Sequence, residues 1–100
     1  MPILSLGGQG VISVLSNIAP QLTHDICRNY FDGNAAEAAR LQIACTDLVD
    51  ALFCEVNPIP VKTAMRRLGD DAGPLRMPLS EMEPANAAKL DAALRAHNLI

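Results

Sequence analysis

Aromatic side chains are nearly absent: one tyrosine, two phenylalanines and no tryptophan in 100 residues. Half of the chain is nevertheless apolar, so its core must be built from Ala, Leu, Ile, Val and Met. A small domain buries a modest fraction of its surface, and small side chains lower the gain further, so limited stability is expected. Basic residues are also scarce. Lys and Arg total 8 against 11 Asp and Glu, a formal net charge of −3. Arg66-Arg67 is the densest basic spot, while Arg28, Arg40 and Arg76 are scattered. The electrostatic footprint of a nucleic-acid binder is missing. No apolar run approaches the roughly 18–20 residues of a membrane-spanning helix. Residues 1–6, MPILSL, are too short for a secretory leader and lack its positive start. A soluble chain with no nucleic-acid and no membrane partner is expected.

Cysteine is the next scarcity. Cys27, Cys45 and Cys54 are odd in number and contain no Cys-x-x-Cys pair, which argues against a disulfide framework and for a reducing, cytoplasmic setting. Each lies in apolar helical surroundings and reads as a small buried hydrophobe; a catalytic thiol would need a base beside it, and the sequence places none. His24 and His97 stand far apart on different helices, without further ligands at metal-like spacing, so no metal site is expected and the histidines read as solvated or capping. Asp70-Asp71, Glu81 and Glu83 read as loop solubility, since no partner base accompanies them. Lys62 follows Pro58-Ile59-Pro60 directly. A desolvated lysine can form a Schiff base, but on an amphipathic helix this one equally snorkels to solvent or pairs with Glu55.

What the chain does have is a glycine-rich opening, GGQGVISVLSNIAP at residues 7–20. Residues 2–6 look like the last turn of a helix stopped by Gly7-Gly8. Gly8-Gln9-Gly10 does not fit a dinucleotide fingerprint. Its glycines precede the apolar run, Ser13 stands where a third glycine belongs, and no Walker lysine occurs. A tight turn and close packing are the better reading. Val11 to Leu15 is short, near-continuously apolar and bounded by glycines and Ser16-Asn17, which predicts a strand buried on both faces. One such strand cannot satisfy its own hydrogen bonds, so it needs neighbours that the chain does not contain.

The rest reads as helix. Pro20 opens one running to about Phe31, with Leu22, Ile26, Cys27 and Tyr30 on one face and Asp32-Gly33 as its stop. Asn34 and Glu37 can form a capping box. The helix they begin carries Leu41, Cys45, Leu48 and Leu52 on one face and reaches Cys54 or Glu55. After Asn57-Pro58-Ile59-Pro60, a third helix has Val61, Ala64, Met65 and Leu68 inward and Gly69 as its stop. Residues 70–82 are irregular. Pro84 opens the last helix, faced by Ala87, Leu90, Ala93 or Leu94, and His97. The helices over 34–55, 58–68 and 84–97 are expected to pack together.

Three blocks, GGQGVISVLSNIAP, EVNPIPVK at 55–62 and GPLRMPLSEM at 73–82, together resemble the carboxy-terminal part of the 4-hydroxy-tetrahydrodipicolinate synthase (dihydrodipicolinate synthase) family, within the N-acetylneuraminate lyase group. The blocks fall in the family's order, and the resemblance runs out to the terminal HNLI. It implies a parent α/β fold, a (β/α)8 barrel followed by a small helical domain. Residues 1–33 would then be the end of the barrel, with residues 11–15 its last strand and the helix from Pro20 its last helix. Residues 34–100 would be a three-helix carboxy-terminal domain, leaving this chain mostly α. A complete barrel takes about 250 residues, so the chain reads as one piece of it.

The resemblance further implies a Schiff-base aldolase of lysine and diaminopimelate biosynthesis. Pyruvate condenses on a lysine, and the enamine attacks aspartate semialdehyde. That lysine and the proton-relaying tyrosine would lie ahead of Met1, so this chain would hold no catalytic residue and be inactive alone. No cofactor is implied, and the whole enzyme would be a homo-oligomer. One pocket position carries over: the backbone carbonyl of Ile12 would face the pyruvate site. Lys62 does not match the catalytic lysine. A related N-acetylneuraminate lyase-type or sugar-acid aldolase is the alternative within the group. Outside it, the alternative is an independent small helical interaction protein, which the unpaired strand disfavours unless the chain self-associates.

Overall fold

Four of the six helices begin and end in the same way. In the computed structural model, which describes residues 1–100, these are α1 (Pro2–Ser5), α2 (Pro20–Phe31), α5 (Ile59–Arg67) and α6 (Pro84–Ala96). Each has proline in its first two positions, where a missing N–H is no loss and the fixed φ suits the helix. Each is followed by a residue at positive φ: Gly7 at 96°, Gly33 at 84°, Gly69 at 93° and Asn98 at 55°. In α2 the N–H of Gly33 donates to the Tyr30 carbonyl at 3.1 Å and that of Asn34 to Asn29 at 2.8 Å. Residues 69–70 and 98–99 make the same pair of bonds. This double closure satisfies carbonyls that the last helical turn leaves open.

Between these lie α3 (Ala35–Ala44) and α4 (Thr46–Leu52), which the spacing had joined into one helix. The break falls at Cys45, with φ −102° and ψ 8°. The Cys45 Sγ and Thr46 Oγ1 both bond to the Gln42 carbonyl, each at 3.3 Å. Side-chain competition for an i−3 or i−4 carbonyl is a known cause of helix bending. The anticipated capping box is also not formed. Asn34 does occupy the N-cap of α3, but without a side-chain cap bond. Glu37 turns to Arg40 instead, at 2.6 and 2.8 Å, because a two-point pair with guanidinium is stronger than one bond to an amide.

The main correction concerns residues 11–15. The chain has no β-strand. With no second strand to pair with, this stretch cannot build a ladder. Its end is drawn into a 3-10 turn, Leu15–Asn17. The Ser16 N–H donates to Ser13 Oγ at 3.0 Å and Ser16 Oγ returns to the Ser13 carbonyl at 2.9 Å. The chain's regular elements are therefore all helical, and the strand expected over residues 11–15 is not present.

The chain forms two compact units, Met1–Thr46 and Asp47–Ile100. In the first, α2 packs on α3 and on the 3-10 turn, and Leu4, Leu15, Ile18, Ala19, Ile26, Ala38 and Cys45 are buried. The Met1 amine reaches Gln42 Oε1 at 3.1 Å, fixing the start of the chain to α3. So α3 packs with α2 in the first unit. In the second unit α5 packs on α6, and Leu48, Leu52, Ala64, Leu90 and Leu94 are wholly buried. The anticipated inward faces are thus correct at these positions, while Leu41, Met65 and Leu68 are only half-buried. Thr63, a buried polar residue, returns its hydroxyl to the Ile59 carbonyl at 2.9 Å. No helix is long and apolar enough to cross a membrane.

Because Leu48 is completely buried, Leu48→Ala should destabilise the chain by about 2–5 kcal/mol. Urea unfolding followed by circular dichroism measures it, and an unchanged midpoint would contradict the assigned core.

Candidate functional site

The pocket position expected from the sequence, Ile12, lies between two fixed ends. On one side, the N–H of Gly8 bonds to the Ile3 carbonyl at 2.9 Å. A Cβ at Gly8 would sit 2.8 Å from that oxygen, so the close approach requires glycine. On the other side stands the reciprocal Ser13–Ser16 turn, reinforced by Asn17, whose Nδ2 reaches the Val14 carbonyl at 2.9 Å. Ile18 and Ala19 then anchor the segment in the core before Pro20 opens α2. The side chain of Ile12 is fully exposed in this chain. Its carbonyl accepts no hydrogen bond within the chain. A backbone oxygen left without a partner within the chain can accept from a donor brought to it.

The remaining candidates separate into tethers and solvated groups. Lys62 Nζ donates to the Pro74 carbonyl at 2.9 Å, so it pins the irregular segment rather than pairing with Glu55. Glu55 instead accepts the N–H of Glu83, the N-cap of α6, at 3.0 Å. A carboxylate from the turn before α5 thus does the work of the N3 side chain of a capping box, near a helix start where negative charge is favoured. Arg66 reaches Glu81 at 3.3 Å and Arg67 reaches Asp91 at 3.0 Å. Asp71 accepts the N–H of Gly73 at 2.8 Å, an Asx-type turn. His24 lies beside Asp25 at 3.2 Å on the surface of α2. No three His, Cys, Asp or Glu side chains gather as a metal-holding group.

Two arrangements escaped the sequence. His97 Nε2 lies 2.8 Å from Asp47 Oδ1, joining the end of α6 to the first turn of α4. Fifty positions separate the pair, beyond any local pattern. The Ser13–Ser16 exchange was readable in principle, since serines three apart after an extended run are a turn signal. The His97 hydrogen bond holds the Asp47 carboxyl below its ordinary value, opposed by partial burial and helped by the N–H of Leu48.

The dihydrodipicolinate synthetase family model matches residues 1–97. The chain belongs to this family. Over all 100 residues it is 53% identical to the 4-hydroxy-tetrahydrodipicolinate synthase of Clostridium perfringens strain SM101. A crystal structure of a dihydrodipicolinate synthase superposes on 99% of the chain with a TM-score of 0.95 at 40% identity. The Aquifex aeolicus enzyme superposes on 98% with a TM-score of 0.94 at 41%. The chain spans 34% of the Clostridium perfringens protein, and 34% and 33% of those two solved chains. Membership in the family therefore holds for a third of a synthase length.

Acid sensitivity follows from Asp47. Its folded pKa is lowered from 3.8, so its contribution to stability is complete above that value and fades as pH falls through the lowered one. Asp47→Asn should flatten the acid limb of the stability profile, measured as urea midpoint against pH. An acid limb identical to that of the parent would refute the role given to the pair.

Proposed function

We infer that this chain is the carboxy-terminal third of a Schiff-base aldolase that condenses pyruvate with aspartate semialdehyde in lysine and diaminopimelate biosynthesis, a cytoplasmic homo-oligomeric lyase when whole. The match of the family model to residues 1–97 carries the reading. In the whole enzyme residues 1–33 would complete the barrel and residues 34–100 would form the appended helical domain.

The role assigned to Ile12 is positional. Pyruvate presents a carboxylate and a ketone, and its Schiff base adds a charged nitrogen. A backbone carbonyl can orient a donor on such a species but cannot exchange protons with it. Chemistry on the carbon skeleton needs an amine nucleophile in a desolvated pocket. The two lysines here do not supply one. Lys62 is engaged at the surface with the Pro74 carbonyl, and Lys89 is exposed on α6.

Incubation with pyruvate and borohydride, followed by intact mass, should therefore show no adduct on the 100-residue chain. A stoichiometric pyruvate adduct lost in Lys62→Ala would overturn the division of labour described above.

A further inference from the structure

Two bonds from Ser16 hold Ser13. The N–H of Ser16 donates to Ser13 Oγ at 3.0 Å, and Ser16 Oγ donates to the Ser13 carbonyl at 2.9 Å. Both the side chain and the carbonyl of Ser13 are thereby engaged. Two substituents of a chiral carbon set the direction of the other two, so the Cα–N bond of Ser13 is set as well. That nitrogen shares one planar peptide with the Ile12 carbonyl. A single soft torsion, φ of Ser13, lies between the turn and the oxygen. The turn is itself tied to the chain beyond it. The Val14 carbonyl accepts from the N–H and the Nδ2 of Asn17, at 3.1 and 2.9 Å, and Leu15 and Ile18 are buried. On the other side of Ile12, residues 9–11 make no backbone hydrogen bond within the chain. Within this chain, the nearest restraint on the Ile12 oxygen is therefore the pair of serine hydroxyls.

We propose that Ser13 and Ser16 are positioning residues for pyruvate, aiming the Ile12 carbonyl at the bound ketoacid or its Schiff base. The proposal rests on the place given to Ile12 under the proposed function. The serines act through the backbone and move no proton of the reaction. A carbonyl that orients the substrate contributes equally before and during the reaction, and such a contribution is read in KM rather than in kcat. The two hydroxyls close one ring of bonds, so losing either opens it and losing both adds little.

The test has two arms. In the 100-residue chain, Ser13→Ala removes the acceptor of the Ser16 N–H. Amide exchange at Ser16 should quicken by about 10-fold or more, with the helical melt unchanged. Unaltered exchange would mean that the bond fixes nothing and would overturn the proposal. The second arm fuses residues 1–100 behind the preceding two thirds of the Clostridium perfringens relative and follows condensation. Ser13→Ala and Ser16→Ala should each raise KM for pyruvate about 3–10-fold, the cost of ordering one freed group. The kcat and the KM for aspartate semialdehyde should not move. The double variant should be no worse than Ser13→Ala, and Ser13→Thr, which keeps the hydroxyl, should restore the parent KM. A merely structural role would lower the melting temperature and the active fraction while leaving KM as it was, and that result would overturn the proposal. So would additive losses or a failure of Ser13→Thr to rescue. An active parent fusion with unmoved KM in the variants would overturn the role of the serines alone. A folded parent fusion that traps no pyruvate under borohydride would overturn the proposed function and this role together.

Discussion

Every peptide N–H and C=O taken out of water needs a partner, and this chain meets the requirement almost wholly with local bonds. Helices satisfy their own interiors. Their ends are handled by proline at the start and a positive-φ residue at the stop in α1, α2, α5 and α6. No buried side-chain nitrogen or oxygen is left without a partner. An all-helical piece can stand on these terms because each helix brings its hydrogen bonds with it. A strand cannot, and residues 9–12, which make no backbone hydrogen bond within the chain, also have exposed side chains at Val11 and Ile12. The same rule thus shapes both the ordered and the open parts of the molecule.

The second unit shows how an irregular segment is held without secondary structure. Residues 70–82 are fastened from outside, by Lys62 to the Pro74 carbonyl and by Arg66 to Glu81. Glu55 then holds the N–H of Glu83 where α6 begins. These bonds come from α5 and from the turn before it, the region of EVNPIPVK. That block therefore has a structural reason for its composition. Its lysine and glutamate are tethers, and its prolines set the start of the helix from which the other tethers project. The two charged residues that looked like partners for each other serve two different points on the same segment.

The sequence disclosed what local periodicity and end signals control. The bounds of α2, the inward positions Leu48, Leu52, Ala64, Leu90 and Leu94, and the stops at Gly33 and Gly69 could all be read from spacing. It misled where two local solutions compete. Glu37 had both an N-cap and an arginine within reach, and the guanidinium won. Cys45 continued an apolar stripe through a point where the backbone bends. Residues 11–15 have the composition of a buried strand, but composition cannot form a ladder without neighbours. At the site, the fixed ends around Ile12 were partly legible through Gly8 and the serine spacing. The link from His97 to Asp47 depends on how α4 and α6 fold into one unit, and no window of sequence contains it.

The distribution of charge divides the molecule's response to its surroundings. All fixed side-chain charges lie beyond residue 24, and the ion pair that fastens residues 70–82, Arg66 to Glu81, stands near the surface. Raising ionic strength screens such pairs, so salt acts on this tether and on the surface pairs of α2 and α3 and leaves residues 1–23 almost untouched. Cooling weakens apolar burial, which both units have, in Leu4, Ile18 and Ile26 and in Leu48, Leu52, Leu90 and Leu94. Ionic strength thus separates the tethered loop from the uncharged opening segment, whereas temperature acts on the cores of both units.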